Sequence, residues 1–308
     1  MESCGGSATR RWGTALTAST AAVAACLPAG PAEAAAGPPG VTARGAYLLD
    51  SGADRALWGK AADARLPMAS TTKIMTAVVV LDEHAGDLAQ QVTVKQSYRD
   101  WVERRQASTA DLRTGDRLTV RQLLYALMLP SGCDAAYALA DTFGTGDTEA
   151  GRTASFVAAM NDKARELGLR DTHYDSFDGN STGGANYTSA RDLARLTRHA
   201  MRNDLLVNVV KSSGTQQKAA NVNRLYTWYN TNKLLGSYPG VIGVKTGSTR
   251  AAGPCLVFAA RRDGRTVVGV LLNDPAGRYP DAAKMLDYAY HVRTPLRLRT
   301  LPPGAHED

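Results

Sequence analysis

Ser70-Thr71-Thr72-Lys73, Ser131-Gly132-Cys133 and Lys245-Thr246-Gly247 follow one another along this 308-residue chain, and they hold two serine hydroxyls and two amines that could share one site. The first segment sets a hydroxyl three residues ahead of an amine, which puts both on one face of a helix. Serine is a weak nucleophile until a neighbouring base takes its proton, and lysine can be that base only where its surroundings hold it neutral. A free lysine titrates at about 10.4, so Lys73 must be desolvated or pressed by a like charge, which Lys245 can supply. The expectation is nucleophilic chemistry at Ser70 with a largely uncharged Lys73.

These residues need elements to hold them. From Ser70 to about His84 the apolar residues Ile74, Met75, Ala77, Val78, Val79, Val80 and Leu81 run almost all round, the mark of a helix buried on most sides. Thr119 is an N-cap for a helix over Val120 to Met128, Pro130 ends it, and Asp134 starts another through Ala140, so Ser131 and Cys133 sit on the bend between two helices. Further helices are predicted at Thr153 to Leu167 and, after an N-cap at Thr188, from Ser189 to Met201. Ala46 to Asp50 and a short run around Leu57-Trp58 read as an opening hairpin, and Val241 to Thr246, Cys255 to Ala260 and Thr266 to Leu272 as later strands before a closing helix, Pro280 to His291. Strands at both ends with helices between them imply an α/β (α+β) fold: one mainly antiparallel sheet built from chain-distant parts, flanked by helices, with an all-helical lobe inserted at about 97–210.

Composition sets the context. The chain is 44% hydrophobic, enough for one sizeable core, and carries a net charge of +7. Arg10 and Arg11, an apolar stretch from Thr14 to Ala25, and the small-residue site Ala32-Glu33-Ala34 have the order of a secretory signal, with cleavage after Ala34 or Ala36. The run is too short and too rich in Ala and Thr to span a bilayer. Val23-Ala24-Ala25-Cys26 also resembles a lipoprotein box, which would tether the protein through Cys26 instead of releasing it. Residues 1–34 carry two arginines against Glu2 and Glu33, so the mature chain stays at +7, a charge suited to a membrane surface or to wall polyanions. Lys and Arg are spread without a basic run, which argues against nucleic acid. The expected organisation is a signal peptide (1–34), a Pro/Gly linker (35–44), a catalytic domain (45–293) and a tail (294–308) with no amphipathic anchor. Cys4 and Cys26 fall in the leader, leaving Cys133 and Cys255, whose pairing the sequence does not decide. The five histidines are scattered, so no metal and no cofactor is expected.

The stretches PMASTTKIMTA, LMLPSGCDAAYALA and NTNKLLGSYPGVIGVKTGST resemble the serine-type D-alanyl-D-alanine carboxypeptidases, the low-molecular-mass penicillin-binding proteins, over about Gly45 to Tyr290. The resemblance implies a β-lactamase/transpeptidase-like fold, peptidoglycan stem peptides ending in D-Ala-D-Ala as substrate, and β-lactams as inhibitors. By motif position it implies Ser70 as the acylated nucleophile, Lys73 as proton acceptor and Ser131 as proton relay. Lys245 and Thr246 would hold the substrate carboxylate, backbone N–H groups of Ser70 and Ser248 the oxyanion, with Gly247 between, and Arg278 would reach the terminal carboxylate. The resemblance departs at Cys133, where the family usually has Asn; a thiol cannot replace both hydrogen bonds of an amide. Ser-Gly-Cys is similar to an actinomycete branch noted for transpeptidation, so acyl transfer to an amine is expected alongside hydrolysis. Between two lysines, Cys133 is expected to be partly thiolate and reactive.

Two patterns invite other chemistry. Gly179-Asn180-Ser181-Thr182-Gly183 matches a nucleophile elbow, but its polar, Gly-rich flanks predict a loop, one that lines the cleft. Glu166, the residue that could deacylate a β-lactamase, falls at a helix C-terminus and reads as an exposed carboxylate. A β-lactamase and a catalytically silent penicillin-binding wall protein are the alternative readings.

Overall fold

The computed structural model describes residues 8–9 and 37–305. The features expected of the leader, from Arg10 and Arg11 through Cys26 to Ala34, lie outside the described residues. Strand β1 (Gly45–Asp50) turns into β2 (Arg55–Lys60), the opening hairpin the sequence predicts. Strand β3 (Leu66–Pro67) leads to a 3₁₀ turn, Ala69–Thr72, and to helix α1 (Lys73–Glu83). Then come β4 (Gln91–Thr93), α2 (Gln96–Arg105), β5 (Arg117–Thr119), α3 (Val120–Met128), α4 (Cys133–Phe143), α5 (Glu149–Glu166), β6 (Tyr187–Thr188), α6 (Ala190–Ala200) and α7 (Asp204–Val210). A hairpin, β7 (Gly214–Lys218) and β8 (Leu225–Tyr229), precedes β9 (Val241–Thr249), β10 (Gly253–Arg262), β11 (Arg265–Leu272) and helix α8 (Arg278–Tyr290).

The main sheet has the order β2-β1-β11-β10-β9, antiparallel throughout, and β1 meets β11 with Gly45 opposite Leu272. Both faces are covered, and successive side chains divide between them with period two. Ala46 and Leu48 join Leu256, Phe258, Val267 and Leu271 in the core under Met285 and Leu286 of α8. Tyr47 and Leu49 point the other way, into the larger core with Val257, Val268, Val270 and the helices that include Ile74, Leu123 and Leu193. Double burial is why these strands read as unbroken apolar runs and not as alternating ones.

Local signals set several boundaries. The Thr119 hydroxyl accepts the Gln122 backbone N–H while the Gln122 side chain accepts the Thr119 N–H, a reciprocal cap that starts α3 where the sequence predicts. Helix α6 is capped by Ser189, one residue later than predicted, because its hydroxyl accepts the Asp192 N–H. The inserted lobe is not all helix: β4 pairs with β5 and β3 with β6. Residues 37–44 are not a free linker either. Val41 and Ala43 are buried, and Thr42 donates from its backbone N–H to Asp281 and from its hydroxyl to Asp274, so burial and buried carboxylate acceptors hold a segment that composition alone marks as loose.

Candidate active site

Ser70 lies in the 3₁₀ turn just ahead of α1, and Lys73 is the first residue of the helix. At three residues per turn the two still share one side. Lys73 Nζ stands 3.0 Å from Ser70 Oγ, 2.9 Å from the carbonyl oxygen of Asp178 and 3.3 Å from Cys133 Sγ. An uncharged amine would accept the Ser70 O–H with its lone pair and donate its two N–H groups to the other partners; an ammonium would donate to all three. Lys73 is wholly buried, and Ser70 is 6% exposed.

Ser131 lies in the bend between α3 and α4, where its carbonyl accepts the Ser108 hydroxyl at 2.7 Å. It is fully buried, takes a left-handed conformation at φ 63°, and its hydroxyl has no hydrogen-bond partner among the described residues. Ala69, beside the nucleophile, is left-handed too, at φ 48°. Each such residue costs about 1–2 kcal/mol in an L-amino-acid chain and persists only where its surroundings impose it. Cys133, the first residue of α4, is surrounded by Lys73, the Asn180 side-chain amide at 3.3 Å and the Ser108 hydroxyl at 3.6 Å. Its ionisation is nevertheless pushed up to about 12: burial is the largest cause, the charge of Lys73 offsets only part of it, and the Asp178 charge adds to it. The expected reactive thiolate is therefore overturned, since loss of water costs the thiolate more than a neighbouring amine returns. Cys133 and Cys255 are both free thiols, and Cys255 is a buried β10 residue whose ionisation burial raises to about 11.

The third motif rides on β9. Lys245 and Thr246 are each 1% exposed, Lys245 Nζ donates to the Thr246 carbonyl at 3.0 Å, and the Thr246 hydroxyl meets that of Thr231 at 2.8 Å. A side chain at Gly247 would place its Cβ 2.9 Å from the Ser70 nitrogen, so glycine is what lets β9 lie against the nucleophile turn. Gly179 does the same from the opposite side, at φ 94° and with a notional Cβ only 2.1 Å from the Ala69 oxygen. Arg278 differs from expectation. It is 6% exposed and donates Nη1 to the carbonyls of Gly247 and Cys255 at 3.1 and 3.2 Å, so in this structure it braces the backbone of the motif and is not among the residues lining the cleft.

Sequence reasoning missed Asp178. Its carboxylate is fully buried and accepts hydrogen bonds from Ser176, Trp101, and the backbone and side-chain N–H groups of Asn180. Burial alone would raise its ionisation, but the charge of Lys73 and these donors outweigh it and hold the carboxyl below its ordinary range. The only signal was its place at the start of the loop that resembles a nucleophile elbow. That segment is a loop, as predicted, and Asn180 lines the cleft. Asp178→Asn is expected to lower stability at neutral pH by about 3 kcal/mol, because an amide presents N–H to donors and leaves Lys73 without its counter-charge. A folded-state ionisation below the unfolded value contributes stability that is present above about pH 4 and lost as pH falls, so the two proteins should converge in acid. Equal unfolding midpoints in urea at pH 7 would refute this.

The cleft itself is a cavity of about 650 Å³. Ser70 and Ser248 open into it, with Asn180 and the 106–111 segment on one part of its wall and Thr227, Trp228 and Tyr229 of β8 on another. Asp134 fixes the 106–111 wall by accepting the backbone N–H groups of Ala110 and Leu112 and the Thr109 hydroxyl. Glu166 stands elsewhere, at the end of α5, exposed and paired with Lys163 at 2.7 Å.

A serine that lines a peptide-sized cleft, with a buried amine against its hydroxyl and the edge strand of an antiparallel sheet beside it, defines a serine acyl-transferring enzyme. The chain belongs to the D-alanyl-D-alanine carboxypeptidase family, whose model matches residues 32–276. It is 46% identical to a D-alanyl-D-alanine carboxypeptidase of Streptomyces sp. (strain K15), over 90% of this chain and 97% of that one. It is 34% identical to D-alanyl-D-alanine carboxypeptidase DacB2 of Mycobacterium tuberculosis, over 79% of each. The crystal structure of the Streptomyces K15 DD-transpeptidase matches with a TM-score of 0.79 at 49% identity, covering 82% of this chain and 99% of that one.

Proposed function

We propose that Ser70 carries the acyl group of D-Ala-D-Ala-terminated stem peptides and that Lys73 is its base, a reading carried by the 3.0 Å approach of Lys73 Nζ to Ser70 Oγ. The ammonium form of Lys73 is balanced by Asp178; the reactive form is the one in which Lys73 is the free amine, and in it Ser70 Oγ attacks the carbonyl of the penultimate D-Ala while its proton passes to Lys73. The oxyanion is held by backbone N–H groups of Ser70 and Ser248, donors aimed at charge that develops only in the transition state. The C–N bond breaks as Ser131 gives its hydroxyl proton to the departing D-Ala amine and is reprotonated by Lys73, so the proton first taken from Ser70 leaves with D-Ala, Lys73 is again the free amine and an ester on Ser70 remains. Water or an amine then attacks this ester, giving a shortened peptide or a cross-linked one and restoring the Ser70 hydroxyl. β9 is the edge strand of its sheet, so an extended peptide can add to it by backbone hydrogen bonds. Lys245 and Thr246 serve the substrate carboxylate from the inner side of that strand, and Arg278 positions them. β-Lactams acylate the same serine. Glu166 is paired with Lys163 at the end of α5 and is not among the residues lining the cleft, which disfavours a β-lactamase that deacylates through it. Intact-mass analysis after benzylpenicillin treatment, with peptide mapping, tests the reading; an adduct on any residue but Ser70 overturns it.

Peptidoglycan lies outside the cytoplasmic membrane, and this is where we place the protein; no helix among the described residues is long and apolar enough to cross a membrane. For wall polyanions, the favouring observation is a surface pocket lined by Arg170, Arg195, Arg198 and Arg202. Binding to a phosphodiester-rich wall polymer should weaken steeply with salt and with Arg195→Glu/Arg202→Glu. Equal retention of both proteins would exclude this patch.

A further inference from the structure

The chain beyond α8 returns to the cleft. Leu296 packs on the core under α8, and the Arg299 guanidinium donates to the carbonyls of Asn230 and Asn232 at 2.5 and 3.2 Å while its backbone N–H donates to Ser237 Oγ at 2.8 Å. Asn230 and Asn232 flank Thr231, whose hydroxyl meets that of Thr246. Past this anchor the chain turns, with Ala305 N–H donating to the Pro302 carbonyl at 3.1 Å and Gly304 at φ 83°. Gly304 and Ala305 then line the same cavity as Ser70, Ser248 and Trp228. Composition had marked residues 294–308 only as a tail without an anchor.

We propose that residues 294–305 form a specificity-determining strap: Arg299 pins it, and Gly304-Ala305 set the width of the cleft so that a slender linear stem peptide enters and one already cross-linked to a second peptide is held out. This rests on the reading of Ser70 given above. Pro302 and Pro303 fix two backbone torsions, so the segment is a stiff wall. Its two lining residues bear almost no side chain, so the backbone itself forms the wall there, and bulk beyond that of an extended peptide would have to press against it. Arg299 is a positioning residue, acting through the Asn230–Asn232 segment.

The test compares the full chain, a chain ending at Thr300 that keeps the Arg299 anchor, and Ala305→Trp. D-Ala release is measured from a linear pentapeptide and from a cross-linked peptide dimer bearing one free D-Ala-D-Ala end. Truncation is expected to raise kcat/KM for the dimer relative to the linear peptide about tenfold, and Ala305→Trp to lower it for the linear peptide about tenfold. Benzylpenicillin labelling of Ser70 should persist in all three. The same dimer-to-linear ratio in all three proteins overturns the strap, including the case where both rates fall together through loss of structure. Absence of Ser70 labelling in the full chain instead overturns the active-site reading, whatever the ratio.

Discussion

Ser70→Ala is expected to lose all covalent labelling by benzylpenicillin and to release terminal D-Ala with kcat/KM reduced by about 10⁴-fold or more. The size follows from the role: without the hydroxyl there is no ester, and what remains is an uncatalysed attack by water in an oriented site. The fold should be little affected. Ser70 Oγ has Lys73 as its hydrogen-bond partner, and losing one such bond costs about 1 kcal/mol. An unchanged unfolding midpoint together with absent labelling therefore assigns the loss to chemistry. Persistent labelling of the alanine protein, or D-Ala release within tenfold of the parent, would remove Ser70 from its role.

The parts of the fold that were legible in the sequence are those where a local signal and the tertiary structure agree. The apolar run from Ile74 to Leu81 reads as a buried helix and is one, and Thr119 caps α3 as its type and spacing predict. Strands β9 to β11 were legible because both their faces are buried. The hairpin of β7 and β8 was not, since Gly214–Lys218 is polar and supplies no apolar face to read. In the site, the motifs could be read because the spacing of Ser70 and Lys73 survives a change from α to 3₁₀ geometry. The state of Cys133 could not be read: the lysine beside it is visible in the sequence pattern, but the degree of its burial is a property of the packed lobe. Asp178 was hidden for the same reason, since only the fold turns a loop aspartate into a buried anion. Arg299 carried no signal in the sequence: its partners are backbone carbonyls nearly seventy residues away, and a carbonyl has no sequence signature.

Lys73→Gln is expected to lower the rate of acylation by benzylpenicillin about 10³-fold, the loss that follows when a general base is removed and the nucleophile remains. Glutamine keeps N–H groups for the Asp178 carbonyl and Cys133 but cannot take the Ser70 proton. Stability should fall too, because Asp178 would remain a buried anion whose nearby cation is gone. These two losses separate in the double variant. Asp178→Asn alone strands the cation and Lys73→Gln alone strands the anion, whereas Lys73→Gln/Asp178→Asn leaves neither charge uncompensated. Its destabilisation should thus be smaller than the sum of the single changes by about 1–3 kcal/mol, the coupling expected of contacting groups in one network. Acylation in the double variant should stay as slow as in Lys73→Gln, because restored charge balance supplies no proton acceptor. Stopped-flow acylation and urea unfolding on the four proteins measure both quantities. If acylation recovered with stability, Lys73 would be holding the site together and another group would be taking the proton from Ser70.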